Sequence, residues 1–236
     1  MWVLEAPDGF GDAEFHSHHA IQITVCLSGT LTLQTADESL SGPMVAVAAD
    51  AKHQFDASGL IAFIFVEPES RSGRALAKAL FRGRPLARID NPGLSQWLEP
   101  LRSTFDAPLP STALLEAGRA VVNELAPGVE GPAPDPRIQR IIDFAASHLE
   151  QPLSLADASA GVFLSPSRLR HLFVDQTGLA FKTYLLWLRL VRAVSLYSDG
   201  ASLTEAAHEA GFSDSAHFSR VFKRTFGLPV TTLTRW

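Results

Sequence analysis

The sequence predicts an α+β protein of two domains, a β-rich domain with covering helices followed by an all-helical domain. Three observations lead to this prediction: short strand-like runs between residues 21 and 66, a segment rich in proline and glycine at 126–136, and helical periodicity from residue 137 onward. We therefore expect residues 1–125 to form the first domain, residues 126–136 a linker and residues 137–236 the second domain.

Strand signals occupy residues 1–69, the β-rich part of the first domain. Thr30–Thr35 alternates polar and apolar side chains, while Ile21–Leu27, Met44–Val47 and Leu60–Val66 are short apolar runs. Turn residues separate these runs at roughly ten-residue spacing, which is typical of a β-sandwich or a small barrel.

The pattern becomes helical across residues 73–125. Apolar residues recur there at helical spacing, and prolines at 85, 92, 108 and 110 divide the segment into three helices. These helices either dimerise or cover the β-rich part.

Composition and charge indicate the class of protein. The 236 residues are 46% hydrophobic and 19% charged, as in folded globular proteins. Residues 137–236 hold 11 of the 20 basic residues and only 8 of the 25 acidic ones, so this half carries a mild positive excess. Because Cys26 is the single cysteine and no signal-peptide pattern begins the chain, we expect a cytoplasmic protein that makes no membrane contact.

The helical half contains an internal repeat. Residues 154–178 and 202–227 align, and each copy begins with a serine that has an acid three residues later, as in a helix capping box. The offset is 48 residues as far as Ser165 and Ser213 and 49 residues afterwards. This alignment places one extra residue at the start of the second helix of the second copy.

Each copy has the pattern of a helix-turn-helix unit. In the second copy, small alanines allow two helices to cross closely, Gly211 permits the turn, and Phe212, Phe218 and Phe222 form the buried face. The opposite face is polar, as a DNA major groove requires. A helical hairpin with a solvated charged face is the alternative, and two copies in register count against it. We expect DNA contacts from Ser167, Arg168, Arg170, His171, Ser215, Ala216, Ser219, Arg220 and Lys223.

Residues 137–236 resemble the DNA-binding domain of the AraC/XylS family of bacterial transcription regulators. The resemblance is carried by Ala207–Phe212, Phe218–Pro229, Leu164–Phe173 and Leu188–Val194. It implies seven helices, a long connecting helix over about 181–197, and two recognition helices in successive major grooves about 34 Å apart. Phe163 stands where the family often has a glycine in the first turn, so we expect different packing there.

The family resemblance also implies a function and partners. It identifies a sequence-specific transcription regulator that binds double-stranded DNA and RNA polymerase, either as a monomer or as a homodimer. Family members often join this domain to a cupin-like β-barrel that senses a small molecule, and the strand-rich half fits such a barrel.

Four residues resemble the ligand positions of a cupin. In a metal-binding cupin His16, His18 and His53 would be ligands, while Gln22 stands where that family has a glutamate. The residues alone also indicate a ligand site, because His16 and His18 would share one side of a strand and imidazoles bind divalent transition metals. We expect a small organic effector rather than a metal ion at these residues. The third hypothesis is that the histidines bind no ligand.

Two other functions compete with regulation. A metal-dependent cupin enzyme with an appended helical module would need a full ligand set and a catalytic acid or base, and Gln22 counts against it. A pure scaffold would not need the repeat. We therefore expect no catalytic residues and no enzyme activity.

Overall fold

The computed structural model describes residues 2–6, 9, 14–94, 96–99, 111–127 and 131–233. The chain forms two compact units. The first consists of residues 1–131 together with 223–234, and the second consists of residues 132–222 with 235–236. Within the described residues, no helix is long and apolar enough to cross a membrane.

The first unit is built on an antiparallel sheet of seven strands that curves into a nearly closed barrel. Its central strand β6 pairs with β1, β2 and β3, and the sheet order is β4-β3-β6-β2-β5-β7 with β1 added on β6. The edge strands lie near each other, since Arg84 donates to Glu38 at 2.7 Å just ahead of β7 and β4. The strands are β1 Trp2–Ala6, β2 Ile21–Cys26, β3 Thr30–Gln34, β4 Ser39–Ser41, β5 Met44–Val47, β6 Gln54–Val66 and β7 Leu86–Arg88.

Strand β6 is long enough to serve both halves of the barrel, and it bends at Gly59. Its first residues pair with β3 and its last ones with β2. Gly59 has a φ of 85° and faces Gly29, whose φ is 90°. A Cβ on Gly29 would lie 2.1 Å from the carbonyl oxygen of Ser58, so the two backbones approach closely only because both positions are glycine.

The two faces of β2 bury different kinds of side chain. Ile21, Ile23 and Val25 point into an apolar core that also contains Val121 and Leu76 from the covering helices. The intervening Gln22 and Thr24 are also buried, at 2% and 0% exposure, but on the opposite face. The barrel interior is therefore polar at this position.

The covering segment is only partly helical. The helices are α1 Arg71–Leu76, continued by a π-helical turn Ala77–Phe81, and α2 Ser111–Leu125. Strand β7 lies between them and pairs with β5, so the expectation of helix throughout 73–125 is wrong there. A 3₁₀ turn Pro92–Leu94 and a short helical segment at 96–99 follow β7, while the predicted break at Pro108 and Pro110 lies outside the described residues.

The second unit is helical and contains the first repeated copy and the second one as far as Phe222. In the first copy α4 (Leu155–Ala158) and α5 (Pro166–Thr177) form the helix-turn-helix. In the second copy α7 (Leu203–Glu209) and α8 (Ser215–Phe226) do so, and α6 (Phe181–Ser198) joins the copies close to the long helix predicted over about 181–197. Residues 223–226 of α8 belong to the first unit. The helices are α3 Pro136–Ala146, α4 Leu155–Ala158, α5 Pro166–Thr177, α6 Phe181–Ser198, α7 Leu203–Glu209 and α8 Ser215–Phe226.

The first helix of each copy begins with a complete capping box. Ser154 and Asp157 cap α4 reciprocally, and Ser202 and Glu205 do the same for α7. The similarity of these two starts is local, because each box satisfies free N–H groups of its own first turn. Apolar residues of α3, α5 and α6 close the core around the first copy.

The extra residue of the second copy lies before its second helix, not at the start of that helix. Ser165 is the N-cap of α5, and the equivalent position ahead of α8 is Asp214, whose carboxylate accepts from the amide of His217 at 2.6 Å. Helix α7 has seven residues and α4 has four. The offset is 48 residues between the caps Ser154 and Ser202 and 49 residues between the caps Ser165 and Asp214, so the extra residue lies between the two caps of the second copy.

The first turn also has its own glycine, which corrects the expectation for Phe163. Gly161 has a φ of 84° and Gly211 one of 81°, so both turns use a glycine in the left-handed region. Phe163 lies two residues farther along the turn and is 98% exposed. It fills no buried position.

Candidate DNA-binding surface and histidine cluster

The polar face of α5 is fully on the surface of the second unit. Ser165 accepts from the amide of Arg168, and Pro166 begins the helix, so the chain enters α5 with its N-terminal turn satisfied. Leu169 and Phe173 point into the core at 4% and 1% exposure. The four residues that the sequence assigned to DNA are all exposed: Ser167, Arg168, Arg170 and His171.

The polar face of α8 mixes exposed and half-buried side chains. Ala216 and Arg220 are exposed, while Ser215 and Ser219 are half-buried. Ser219 donates its hydroxyl to the carbonyl oxygen of Ser215 at 2.8 Å, a back-bond that leaves its lone pairs on the helix surface. Arg220 is thus a long cationic side chain flanked by the small residues Ala216 and Ser219.

Lys223 is placed differently from the other predicted contacts. Its ammonium lies 3.2 Å from the carboxylate of Glu14, and both side chains are more than half exposed. Surface pairs of this kind contribute about 0–1 kcal/mol, so a DNA phosphate can displace Glu14 at little cost. The sequence had not singled out Glu14.

Three histidines meet inside the barrel. His16 and His53 form an antiparallel bridge, with backbone N–H to O distances of 2.9 and 2.8 Å, and His18 follows two residues later. One ring nitrogen from each lies within 4.8 Å of the other two. The exposure of these residues is 5% for His16, 4% for His18 and 0% for His53. The structure therefore brings together the three histidines that the sequence grouped.

The same backbone contact orients all three rings. Each Nδ1 donates to a main-chain carbonyl oxygen two residues away: His16 to Glu14 at 2.7 Å, His18 to Ala20 at 2.9 Å and His53 to Ala51 at 2.9 Å. With Nδ1 holding the proton, each Nε2 is left as a lone pair. Among the described residues the Nε2 of His53 has no hydrogen-bond partner.

Burial keeps these imidazoles neutral. Desolvation lowers the pKa of His18 to about 4 and that of His53 to about 2, the latter also through the charges of its two neighbours. The pKa of His16 is lowered for the same reason. All three rings therefore present unprotonated nitrogens at neutral pH.

Gln22 closes one side of the cluster, as the sequence placed it. Its Oε1 lies 2.9 Å from His18 Nε2, and its Nε2 donates to the hydroxyl of Thr24 at 2.8 Å. Thr24 was missed by sequence reasoning, although its spacing of two from Gln22 puts it on the same face of β2.

His19 belongs to a separate ionic group. Its Nε2 contacts the Glu69 carboxylate at 3.0 Å and its Nδ1 lies 3.7 Å from Asp50. Burial alone would lower the pKa of His19, but the hydrogen bonds and charges of Asp50 and Glu69 outweigh it and raise the pKa to about 9. His19 is therefore a buried cation, and its ring is unsuited to the metal-ligand role that its neighbours can fill.

Aromatic rings surround the cluster within the first unit. The ring of His16 meets Phe55 edge-on at 6.1 Å, and that of His18 meets Phe65 at 5.3 Å. Phe226, which clusters with the first unit, packs 5.7 Å from His18 and 4.8 Å from Trp2. The histidines are thus shielded from water by apolar side chains.

The residues of the cluster fit a transition-metal ion. Three histidines are an established zinc ligand set, and the unpartnered Nε2 of His53 is the kind of buried atom that a cation satisfies. The Nδ1–carbonyl contacts are those that fix ligating histidines in known metal sites.

Comparison with known proteins supports the prediction that the helical half contains helix-turn-helix units. A family model described as a helix-turn-helix domain matches residues 158–235. The transcriptional regulator YpdC of Escherichia coli K12 is 33% identical over 130 residues, which cover 55% of this chain and 45% of YpdC. The regulator YidL of the same strain is 40% identical over 92 residues, which cover 39% of this chain and 31% of YidL. The chain thus spans less than half the length of these relatives.

The complete fold has a counterpart among solved structures. The crystal structure of ToxT from Vibrio cholerae matches with a TM-score of 0.59 and 13% identity, covering 99% of this chain and 96% of that one. At this identity the likeness is one of fold: a β-barrel unit and a helical unit in one chain.

The similarity to known proteins is carried by the helical half. Two capped helix-turn-helix copies joined by a long helix agree with the helix-turn-helix model that matches residues 158–235. The chain is thus similar to helix-turn-helix transcription regulators such as YpdC and YidL.

Proposed function

We propose that the protein is a sequence-specific DNA-binding transcription regulator whose barrel receives a chemical signal. The observation that carries the proposal is the pair of polar faces on α5 and α8. Each face belongs to the second helix of a helix-turn-helix copy, and each presents an exposed arginine, Arg170 or Arg220, among small polar residues. A major groove admits a helix of this kind.

The exposed side chains divide into two roles. Arg170 and Arg220 suit the acceptor edge of guanine, which a guanidinium pairs with in bidentate fashion. His171, Ser215 and Ser219 offer further hydrogen bonds to base edges. We assign Ser167, Arg168 and Lys223 to phosphate contacts that would set the register, and Ala216 to a close approach of the helix to the groove.

In this proposal the barrel receives the chemical signal that controls DNA binding by the helical unit. One ToxT structure holds an unsaturated fatty acid, and the barrel unit of this chain has a related fold. By analogy, a ligand bound in the barrel shifts the population between DNA-competent and DNA-incompetent states. The shift can be only as large as the difference in the ligand's affinity for the two states.

The proposal includes the partners that such a regulator needs. It would act in the bacterial cytoplasm on nucleoid DNA and contact RNA polymerase, either as a monomer or as a homodimer. The half-exposed Leu115 on α2 is consistent with association through the covering helix.

Regulation accounts for the cluster better than catalysis does. Its three members are histidines shielded from solvent, with an amide beside them in place of a carboxylate. A metal-dependent hydrolase or oxygenase would need an acid or base at this place. We therefore propose that the barrel binds its ligand without turning it over.

Selection from random DNA duplexes, followed by fluorescence anisotropy on the enriched sequence at fixed salt, tests the proposal. Arg220→Ala should weaken binding to the selected duplex by about 1–3 kcal/mol. Arg119→Ala on α2 removes the same charge from the first unit and is the matched control. A folded wild-type protein that enriches no sequence, or an Arg220→Ala variant that binds as the wild type does, contradicts the proposal.

A further inference from the structure

We infer that Phe163 is a specificity-determining residue whose ring contacts a thymine methyl group in the DNA site of the first copy. The inference rests on the proposed function and adds to it, because Phe163 is not among the DNA contacts that the sequence predicts. It stands where the family that residues 137–236 resemble often has a glycine. The residue is 98% exposed, although its side chain is wholly apolar.

The exposure of the ring is imposed by the fold of the first turn. Val162 and Leu164, on either side of it, are partly buried and pack against the core around the first copy. The amide of Leu164 donates to the carbonyl oxygen of Val162 at 2.9 Å, which closes a γ-turn with Phe163 at its apex. The ring therefore cannot turn inward unless this hydrogen bond or the packing of its two neighbours is lost.

Phe163 lies beside the N-terminal end of α5. Ser165 is the N-cap of this helix and Pro166 is its first residue. Two residues of chain span at most about 7 Å, so the apex of the turn is close to the cap. A recognition helix contacts base edges with its N-terminal residues. The ring is thus at the end of α5 that the proposed function brings to the major groove.

The charges along this segment favour DNA over a protein partner. No acidic residue occurs between Asp157 and Asp175, whereas Arg168 and Arg170 lie within the stretch. A Cβ on Gly161 would meet no atom of the described residues within 4 Å, so the backbone beside the ring is open. A polyanion can therefore approach the ring without meeting a carboxylate of this segment.

Thymine is the base that suits a ring without polar atoms. In the major groove every base edge presents hydrogen-bond donors or acceptors, and thymine alone adds an apolar group, its C5-methyl. A phenyl ring forms no hydrogen bond with a base edge, but it gains when it covers a methyl group. The alternative is a wedge of the ring between two base pairs, which would kink the duplex and need no methyl group.

The experiment compares duplexes that differ by a single methyl group. Each thymine of the selected duplex is replaced in turn by deoxyuridine, and the affinity of the full chain is measured by fluorescence anisotropy at fixed salt. At one position the replacement should weaken binding by the wild type about fourfold, as expected for one methyl group returned to water. Phe163→Ala should lose at least as much affinity for the thymine duplex and should not respond to deoxyuridine at that position.

Two further variants separate the ring from other effects. Phe163→Leu keeps an apolar side chain and should retain the response to deoxyuridine. Phe144→Ala removes a partly exposed ring from α3 and should bind every duplex as the wild type does. Urea unfolding of Phe163→Ala should match that of the wild type, because the ring fills no buried position. A loss of affinity in this variant then reports a lost contact with DNA.

Three results overturn the inference and leave the proposed function in place. They are a selected duplex without thymine, equal affinity of the wild type and Phe163→Ala for that duplex, and a response to deoxyuridine that is the same in both proteins. A weaker Phe163→Ala with no deoxyuridine response in the wild type indicates the wedge. A wild-type protein that enriches no sequence contradicts the proposed function, and the inference with it.

Discussion

The two helix-turn-helix copies both begin with a capping box, but they differ in how tightly their turns are packed. Gly211 sits against the carbonyl oxygen of Leu149, where a Cβ would be 2.1 Å away, whereas a Cβ on Gly161 would meet no atom of the described residues within 4 Å. Phe212 after the second turn is 4% exposed, and Phe163 in the first turn is 98% exposed. The second turn is thus part of the core, and the first one lies at its edge.

Sequence similarity between the two copies therefore does not make their turns structurally equivalent. Arg189 of the connecting helix donates to the carbonyl oxygens of Leu149 and Gln151, which holds the loop that Gly211 packs on. Nothing comparable fixes Gly161 among the described residues. The second copy should therefore tolerate less change than the first.

Removing the aromatic ring at each turn should give the largest difference in unfolding free energy between the two copies. Phe212→Ala empties a buried position and should cost about 3–5 kcal/mol of unfolding free energy. Phe163→Ala removes an exposed ring and should change it by less than about 0.5 kcal/mol. Urea unfolding followed by circular dichroism measures both, and equal losses would show that the two turns are packed alike.

Alanine at the two turn glycines should give the next largest contrast. Both substitutions place a side chain at positive φ, which costs about 1–2 kcal/mol. Gly211→Ala also drives a Cβ into the Leu149 carbonyl, which adds about 1–3 kcal/mol. The same urea titration should show a clearly lower midpoint for Gly211→Ala. A Gly161→Ala variant that is the less stable of the two would contradict the assignment of the tighter turn.

The caps of α5 and α8 should give the smallest contrast. Asp214 accepts from the His217 amide at 2.6 Å, while Ser165 accepts from Arg168 at 3.4 Å. A charged acceptor at a helix N-terminus binds more strongly, so Asp214→Ala should lower Tm more than Ser165→Ala.

The Asp214 cap also has a definite pH dependence. The backbone hydrogen bond from His217, helped by Ser213, lowers the pKa of Asp214. A carboxyl whose pKa is lowered on folding stabilises the protein above its unfolded pKa, and the stabilisation is lost as pH falls through the folded value. The Tm gap between wild type and Asp214→Ala should therefore narrow below about pH 4. A gap that widens on acidification would rule out the carboxylate as the cap.

Much of the fold could be predicted from the sequence because hydrophobic periodicity and turn or capping residues are local signals. The helical copies, the long helix and strands β2, β3 and β5 lie close to where they were predicted. Strand β7 was missed because Leu86–Arg88 is three residues long and its strand character comes from pairing with β5. Gly161 was missed because the alignment was anchored on Ser165 and Ser213, and a shorter α4 had shifted the turn.

In the candidate site, too, some features follow from local sequence and others depend on the fold. The spacing of His16 and His18 predicts that they share a face, and the cupin resemblance added His53. The contacts that orient the rings are with main-chain oxygens of Glu14, Ala20 and Ala51, and no residue pattern encodes where a carbonyl will point. The pairing of His19 with Glu69 joins residues 50 apart and likewise depends on the fold.

If the two copies contact two adjacent stretches of DNA, then both halves of the selected duplex are needed for full affinity. Scrambling each half in turn measures this. Anisotropy at fixed salt should show that each scramble weakens binding by the wild type. Arg170→Ala should then cost affinity only when the first half-site is intact, and Arg220→Ala only when the second is. Undiminished binding to either half-scrambled duplex would contradict contact by both copies. Losses of affinity for Arg170→Ala and Arg220→Ala that are the same whichever half is intact would contradict it too.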